Sequence, residues 1–303
     1  MKRIIMSLGM VVFAGAVVAG GTGAFFSDTE TSTGNVFTAG AIDLKVDSVG
    51  HVNGLVCHDG EWIPENIVVW NSETEQNELV EDASVSAAVT AYNTANPANV
   101  PKAGAECAST WALTDLGAQT FFNFTDVKPG DEGENTISLH IDNNDAWMCA
   151  DVNITKNDDV SSTEPEMQAG DATNTASMMD GELAENLTFF AWADDGDNIW
   201  EVNEPKLFSN TSGPASDVLG GKTYAIADSS TGFGPIAALQ TKYIGLAWCA
   251  GTIDASVGGV IECDGGTMGN KAQTDTMEAS ITFRVEQARN NGNFRCVRPQ
   301  QSF

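Results

Sequence analysis

The residues best suited to chemistry lie in one short acidic stretch. Trp192-Ala193-Asp194-Asp195-Gly196-Asp197-Asn198-Ile199-Trp200-Glu201, with Glu204 just beyond, gathers side-chain oxygens around a glycine that permits a sharp turn. Such a set suits calcium, a hard cation that takes about 6–8 oxygen ligands. Carboxylates this close repel one another unless a cation intervenes. Asp194, Asp195, Asp197, Asn198 and Glu201 are therefore the candidate calcium ligands, and no other cofactor is indicated. The order is not that of an EF-hand loop, and a solvated Asp-Gly turn between Phe189-Phe190-Ala191-Trp192 and Ile199-Trp200 is the plainer alternative.

Other reactive patterns are missing. Zinc hydrolysis usually draws on His-Glu-x-x-His, which puts two imidazoles on one helix face beside a glutamate base. The histidines here are His51, His58 and His140, with no such spacing. There is no Gly-x-Ser-x-Gly elbow and no P-loop. Acid pairs such as Asp158-Asp159 are too numerous to single out glycosidase carboxylates. No catalytic residue is assigned, and the expectation is a protein that is not an enzyme.

Composition narrows the partners. A net charge of −28 repels nucleic acid and anionic lipid, so no nucleic-acid partner is expected. Cys57, Cys107, Cys149, Cys249, Cys263 and Cys296 make an even set without a Cys-x-x-Cys, which in an exported chain points to disulfides. Cys249 with Cys263, closing a Gly-rich excursion, is the first choice of pair. Asn123, Asn153, Asn186 and Asn210 open Asn-x-Ser/Thr sequons, which matter only in a glycosylating host.

The elements that position these residues read mostly as strands. Ala41 to Asp47, Thr136 to Asp142 and Glu278 to Glu286 alternate apolar and polar side chains, the mark of a half-buried strand. Ile67 to Trp70, Ser84 to Tyr92, Gln119 to Phe124, Met148 to Thr155, Leu187 to Ala193, Thr223 to Ala227 and Tyr243 to Cys249 are further strand candidates. Lys128-Pro129-Gly130-Asp131 and Asn143-Asn144-Asp145 read as turns. Short helices are expected at Ala176 to Asn186 and at Pro235 to Gln240. Ser72 to Asp82, Asn93 to Thr110 and Ser161 to Thr175 read as loops. The fold class is all-β: a jelly-roll-like antiparallel β-sandwich with loop and short helical insertions.

The first residues look like an export signal. Lys2 and Arg3 precede an apolar run from Ile4 to Ala19, and Thr22-Gly23-Ala24 supplies the small residues of a cleavage site. An uncleaved anchor is the alternative, since the apolar run nearly suffices to span a bilayer. Residues 1–24 are taken as a signal peptide, 25–36 as an N-terminal arm and 37–303 as one decorated domain.

At its N-terminus the chain resembles the TasA/camelysin family. The matching residues are Gly21-Thr22-Gly23-Ala24-Phe25-Phe26-Ser27-Asp28-Thr29-Glu30 and Phe37-Thr38-Ala39-Gly40-Ala41-Ile42-Asp43-Leu44. Phe124 to Asp131, Leu139 to Asn144 and Thr282 to Asn291 are similar to the same family, and archaeal bundling pili resemble the group. The resemblance implies export through a dedicated signal peptidase, a jelly-roll domain, and fibres in which the N-terminal segment of one subunit completes the sheet of the next. Some relatives are described as metalloproteases.

The residues give that implication a physical basis. The arm from Phe25 to Val36 reaches roughly 40 Å when extended at ~3.3 Å per residue. Phe25 and Phe26 are apolar anchors, and Thr29, Thr31, Thr33 and Val36 favour a strand. A strand added to an open edge satisfies backbone donors and acceptors along its length, and head-to-tail donation gives filaments. The expectation is an extracellular subunit of a cell-surface fibre of biofilm-matrix type, partnered by copies of itself. The alternatives are a monomeric secreted domain binding carbohydrate or a cation, with Trp192 and Trp200 as sugar platforms, and a secreted metalloprotease.

Overall fold

The computed structural model describes residues 27–31, 42–71, 76–81, 84–171, 177–208, 212–232 and 234–297. Its strands, in chain order, are β1 (Ser27–Thr31), β2 (Leu44–Val52), β3 (Leu55–His58), β4 (Glu61–Pro64), β5 (Val68–Asn71), β6 (Gln76–Leu79), β7 (Trp111–Thr114) and β8 (Glu132–Ile141). They continue with β9 (Ala146–Asp158), β10 (Leu187–Asp194), β11 (Gly213–Pro214), β12 (Lys222–Ala227), β13 (Gln240–Ala250), β14 (Thr252–Asp254), β15 (Glu262–Asp264) and β16 (Thr276–Gln287). The larger sheet runs β11-β10-β13-β8-β2-β3-β4, with β7 also on β2. The smaller runs β1-β16-β9-β12, and β5-β6 and β14-β15 form separate ribbons. The result is an all-β sandwich.

Alternation builds the core. In β2 every second residue from Leu44 to Val52 is buried. Leu44 and Val46 join Ile137, Leu139 and Ile141 of β8, and the facing sheet adds Met148, Val152, Phe283 and Val285. β8 and β10 are buried almost continuously, because both faces of the larger sheet are covered. On its far side lies a second cluster of Phe190, Trp192, Trp200, Ala247, Cys249 and Ile253.

Several local expectations give way to packing. Ser84 to Tyr92 is not a strand: Val85–Ala95 forms helix α1, whose alanines favour helix. Val89 and Tyr92 share one helical face and pack on the main core. Gln119 to Phe124 is a non-strand segment that delivers aromatic rings. Phe121 meets Phe283 edge-on at 6.5 Å, and Phe124 lies 5.2 Å from Trp248. Between Ser161 and Gly170, Glu164–Gln168 forms α2, opened by a capping box of Thr163 and Glu166. The helix expected at Ala176 to Asn186 is reduced to one turn, α3 (Leu183–Asn186); residues 172–176 lie outside the described set. Asp275 accepts the Glu182 and Leu183 N–H groups at 2.6 and 3.1 Å, starting that turn late. Pro235 to Gln240 is not helical, since Ile236 is buried and bridges to Ala146 of β9. One more helical turn, α4 (Ala215–Val218), follows β11.

All six cysteines pair, as Cys57–Cys107, Cys149–Cys296 and Cys249–Cys263. The Cys149–Cys296 bridge spans 147 residues of sequence and ties the C-terminal segment to β9, where Trp147 Nε1 also donates to the Asn291 carbonyl at 2.8 Å. In the chain-entropy account a loop this long stabilises by about 5 kcal/mol. A Cys149→Ser/Cys296→Ser variant is expected to lose about 2–5 kcal/mol in urea unfolding, measured by near-UV circular dichroism. An unchanged midpoint would refute this account of the bridge.

Candidate functional site

The outward face of the larger sheet assembles the site from distant parts of the chain. His51 of β2 lies opposite Glu134 of β8, Glu134 opposite Ala247 of β13, and Ala247 opposite Phe190 of β10. Phe190 and Trp192 stack at 5.5 Å, with Trp200 edge-on to Phe190 at 5.2 Å. Gly245 makes room for this layer: a Cβ there would sit 2.1 Å from the Trp192 ring. The ring nitrogens are satisfied, Trp192 Nε1 donating to Asp194 Oδ1 at 3.0 Å and Trp200 Nε1 to the Ala255 carbonyl at 3.2 Å. Both indoles are buried, at 0 % and 3 % exposure. They cannot serve as sugar platforms, which corrects that expectation.

The acidic stretch turns over this aromatic layer. Asp194 is buried, and its Oδ2 accepts the N–H groups of Gly196 and Asn198 at 2.9 and 3.3 Å. Asp195 and Asp197 are exposed, and ligand oxygens of Asp194, Asp195 and Asp197 lie within 4.8 Å of one another. Asn198 points elsewhere: its Nδ2 donates to Glu134 Oε1 at 2.8 Å, and its buried Oδ1 has no hydrogen-bond partner. The Glu201 N–H donates to Glu204 Oε2 at 2.9 Å. Of the five calcium candidates, three converge, Asn198 is engaged with the sheet, and Glu201 is tied to Glu204.

Beside this loop is a cavity of about 330 Å³. Its charged lining is Glu65, Glu132, Glu134 and His51, with apolar walls from Ile199, Trp200, Ile253 and Ile261, and no lysine or arginine contributes. His51 Nδ1 lies 2.9 Å from Glu65 Oε1. Burial pushes Glu134 up to about 7; His51 and the Asn198 amide work against the rise, while Glu65 and Asp194 add to it. Burial, then Glu65, also raises Glu132. Reading the sequence missed Glu132 and Glu134. Residues 132–136 read Glu-Gly-Glu-Asn-Thr, polar or glycine throughout, so no apolar alternation marks which face these carboxylates take.

His51 and His140 stay apart. His51 and His140 both face outward from neighbouring strands, but His140 lies opposite Lys45, six residues along β2 from His51, or roughly 20 Å at ~3.3 Å per residue. His140 sits between Asp47 Oδ2 and Thr241 Oγ1, each at 3.0 Å, and His58 is 3.6 Å from Asp59.

A second acidic corner was also not foreseen. Glu166 is fully buried, its carboxylate accepting from the Thr163 N–H and from Thr274 Oγ1. Nearby, burial pushes Asp275 up to about 6, and burial followed by the charges of Asp171 and Asp275 raises Glu182.

Fold and site define a disulfide-stapled, strongly acidic β-sandwich. Residues 1–89 match the family model described as camelysin metallo-endopeptidase, in accord with the resemblance read from the N-terminal residues. No curated protein matches the chain. The match corrects one expectation. The sequence leads one to expect a chain that is not an enzyme, whereas the matching family is described as an endopeptidase. The described residues do not fit the metal that this description implies. Among the described residues, the one group of three or more histidine, cysteine or acidic side chains whose ligand atoms lie within 4.8 Å is Asp194, Asp195 and Asp197, an all-oxygen set. That set does not suit a catalytic zinc, which favours imidazole nitrogen, so no reaction step is derived through a metal. No helix among the described residues is long and apolar enough to cross a membrane.

The raised carboxyls set a pH dependence. Glu134 and Asp275, and Glu204 for the same reason of burial, bind protons more tightly folded than unfolded. Their contribution to stability therefore falls as pH rises from the ordinary carboxyl range near 4 toward about 7. Asp228 works in the opposite sense below that range, because hydrogen bonds from Ser230, Thr231 and the Cys296 N–H outweigh its burial. Calorimetric melting in low salt should show a Tm at least ~3 °C higher at pH 5 than at pH 8. Glu134→Gln should flatten part of that slope, and a Tm rising toward pH 8 would contradict the assignment.

Proposed function

We propose that the chain is an extracellular structural subunit that polymerises by lending its N-terminal strand to the next copy. One observation carries the reading: β1 is an edge strand held by a single neighbour, pairing antiparallel with β16 from Ser27 opposite Glu286 to Thr31 opposite Thr282. In the single chain this slot is filled by the chain's own β1, with Thr29 opposite Arg284. Phe25, Phe26, Thr33 and Val36 lie outside the described residues. A strand that fills an edge in its own chain makes the same backbone hydrogen bonds when supplied by a neighbour, and repeated exchange is open-ended. Removal of residues 1–24 during export by a signal peptidase would free the arm for exchange, and the family match over residues 1–89 supports export.

The family description favours a second reading, endopeptidase activity. Chelator-sensitive cleavage of an unstructured polypeptide by the purified protein would support it, and no cleavage would remove it. Calcium at Asp194, Asp195 and Asp197 is a further proposal, supported by their converging oxygens. Calorimetric heat with calcium that is lost in Asp195→Ala/Asp197→Ala would establish it, and no heat in the wild type would dismiss it.

Polymerisation is tested by trapping the strand. Thr31→Cys and Thr282→Cys place thiols at paired positions, and no cysteine is free among the described residues. Oxidised fibres should run as a covalent ladder on a non-reducing denaturing gel. A single monomer band, or fibres that persist after deletion of residues 25–31, would refute strand exchange.

A further inference from the structure

We propose that, within the strand exchange described above and resting on it, the arginine-bearing end of one copy docks on the acidic end of the next. Strand register defines the two ends. Leu44 of β2 lies opposite Ile141 of β8, and Ala146 of β9 lies opposite Gln287 of β16. One end of the sandwich therefore gathers the start of β2, the β8–β9 turn and the close of β16. The opposite end of the smaller sheet holds Asp158, paired with Thr276.

Register also decides which end meets which. Within the donated strand, Thr31 is nearest in sequence to its own body. The described residues of that body resume at Ile42 beside the β8–β9 turn, where the Asp142 N–H donates to the Asp43 carbonyl at 3.2 Å. Thr31 pairs with Thr282, and Ser27 pairs with Glu286. A donor that keeps this register lies beyond the Thr276 end of the acceptor's β16. It presents to that end the one from which its own arm leaves. The contact joins unlike ends, so it repeats without closing.

Charge divides in the same sense. In a chain of 42 acidic and 14 basic residues, four of the five arginines fall within residues 284–298, against the single acid Glu286. Arg284 is held by Asp151 at 3.2 Å. Arg289 and Arg295 are exposed and make no ion pair among the described residues. Their segment is fixed at the donor end. The Ala288 N–H donates to the Asp145 carbonyl and the Ser229 N–H to the Phe294 carbonyl, each at 2.9 Å, and Cys296 is bonded to Cys149. Of the carboxylates there, Asp43 lies 3.3 Å from Lys45 and Asp145 accepts the Ala238 N–H at 3.0 Å, while Asp142 is exposed.

The acceptor end is the acidic corner. Thr163 Oγ1 donates to Gln273 Oε1 at 3.0 Å, which sets α2 beside the start of β16. Glu164 and Glu278 are exposed there. Behind them, burial and then the charges of neighbouring carboxylates raise Asp275 and Glu182. Guanidinium groups arriving from a neighbour relieve that crowding and find carboxylate partners suited to their planar fork. Arginine end against arginine end, or acid against acid, is repulsive, so charge favours the same head-to-tail order that register requires.

The test follows the rate of covalent ladder formation in the Thr31→Cys/Thr282→Cys background, at the lowest ionic strength that keeps the near-UV spectrum native. Two charge reversals are compared, Arg289→Glu/Arg295→Glu and Glu164→Arg/Glu278→Arg. Each variant alone should assemble at least ~10-fold more slowly, the scale of electrostatic steering. The reversals move net charge in opposite directions, so a common slowing cannot come from net repulsion. An equimolar mixture should recover most of the lost rate, because every junction of an alternating polymer then joins unlike charges. That recovery also requires both variants to be folded. Unchanged rates, slowing of one variant only, or a mixture no faster than either variant alone would overturn the docking, with strand exchange left standing by the ladder itself. Polyglutamate captured through Arg289 and Arg295, with ladder rates unchanged, would assign the arginines to a polyanion instead. No ladder in the parent background would remove strand exchange and the docking with it.

Discussion

The two-sided burial of β8 and β13 is the constraint on which the site depends. Their inward residues, Ile137, Leu139, Ile244 and Leu246, pack against the smaller sheet's side of the core. Their outward residues include Ala247 and Cys249, which lie beneath the aromatic layer of Phe190, Trp192 and Trp200. A strand covered on both faces must place any polar outward residue under a lid or at its margin. Glu134 occupies such a margin, and the lid brings Asn198 to it rather than a base. Keeping a carboxylate charged away from water without a cation is unfavourable, and its affinity for a proton rises accordingly.

The lid is itself held by specific contacts. The Cys249–Cys263 bridge fastens β15 to β13, and Gly251, with φ of 140°, turns the chain where a side chain would strike the Asp264 carbonyl. Asp194 closes the acidic turn through its own carboxylate, and the buried indole of Trp192 anchors Asp194 in turn. These are short-range contacts, and each serves to seat an aromatic ring. The acidic loop is therefore a structural cover over the aromatic layer.

At the opposite side of the sandwich the constraint is an edge. β16 has β9 on one flank and β1 on the other, and β1 is only five residues long. Sheet edges left open are templates for other chains, which proteins usually blunt or cover. Here the cover comes from the end of the chain over which the camelysin family model matches. The strong negative charge sets up a long-range repulsion between copies of the chain.

The sequence by itself determined the strands whose side chains alternate, such as β2 and β16, the Pro-Gly and Asn-Asn turns, and the pairing of Cys249 with Cys263. These are local signals, written in periods of two residues or in a few adjacent side chains. It misassigned α1, where alanine content outweighed the β-branched residues, and the stretch around Phe121, whose aromatic rings act as plugs rather than strand faces. Only the tertiary structure decided that Trp192 and Trp200 are buried, that Cys57 joins Cys107 and Cys149 joins Cys296, and that His51, Glu65, Glu134 and Asn198 meet around one cavity. Those outcomes depend on which strands become neighbours and which face receives a second layer. Local periodicity tells a residue which side of its strand it occupies, but not what the rest of the chain lays over that side.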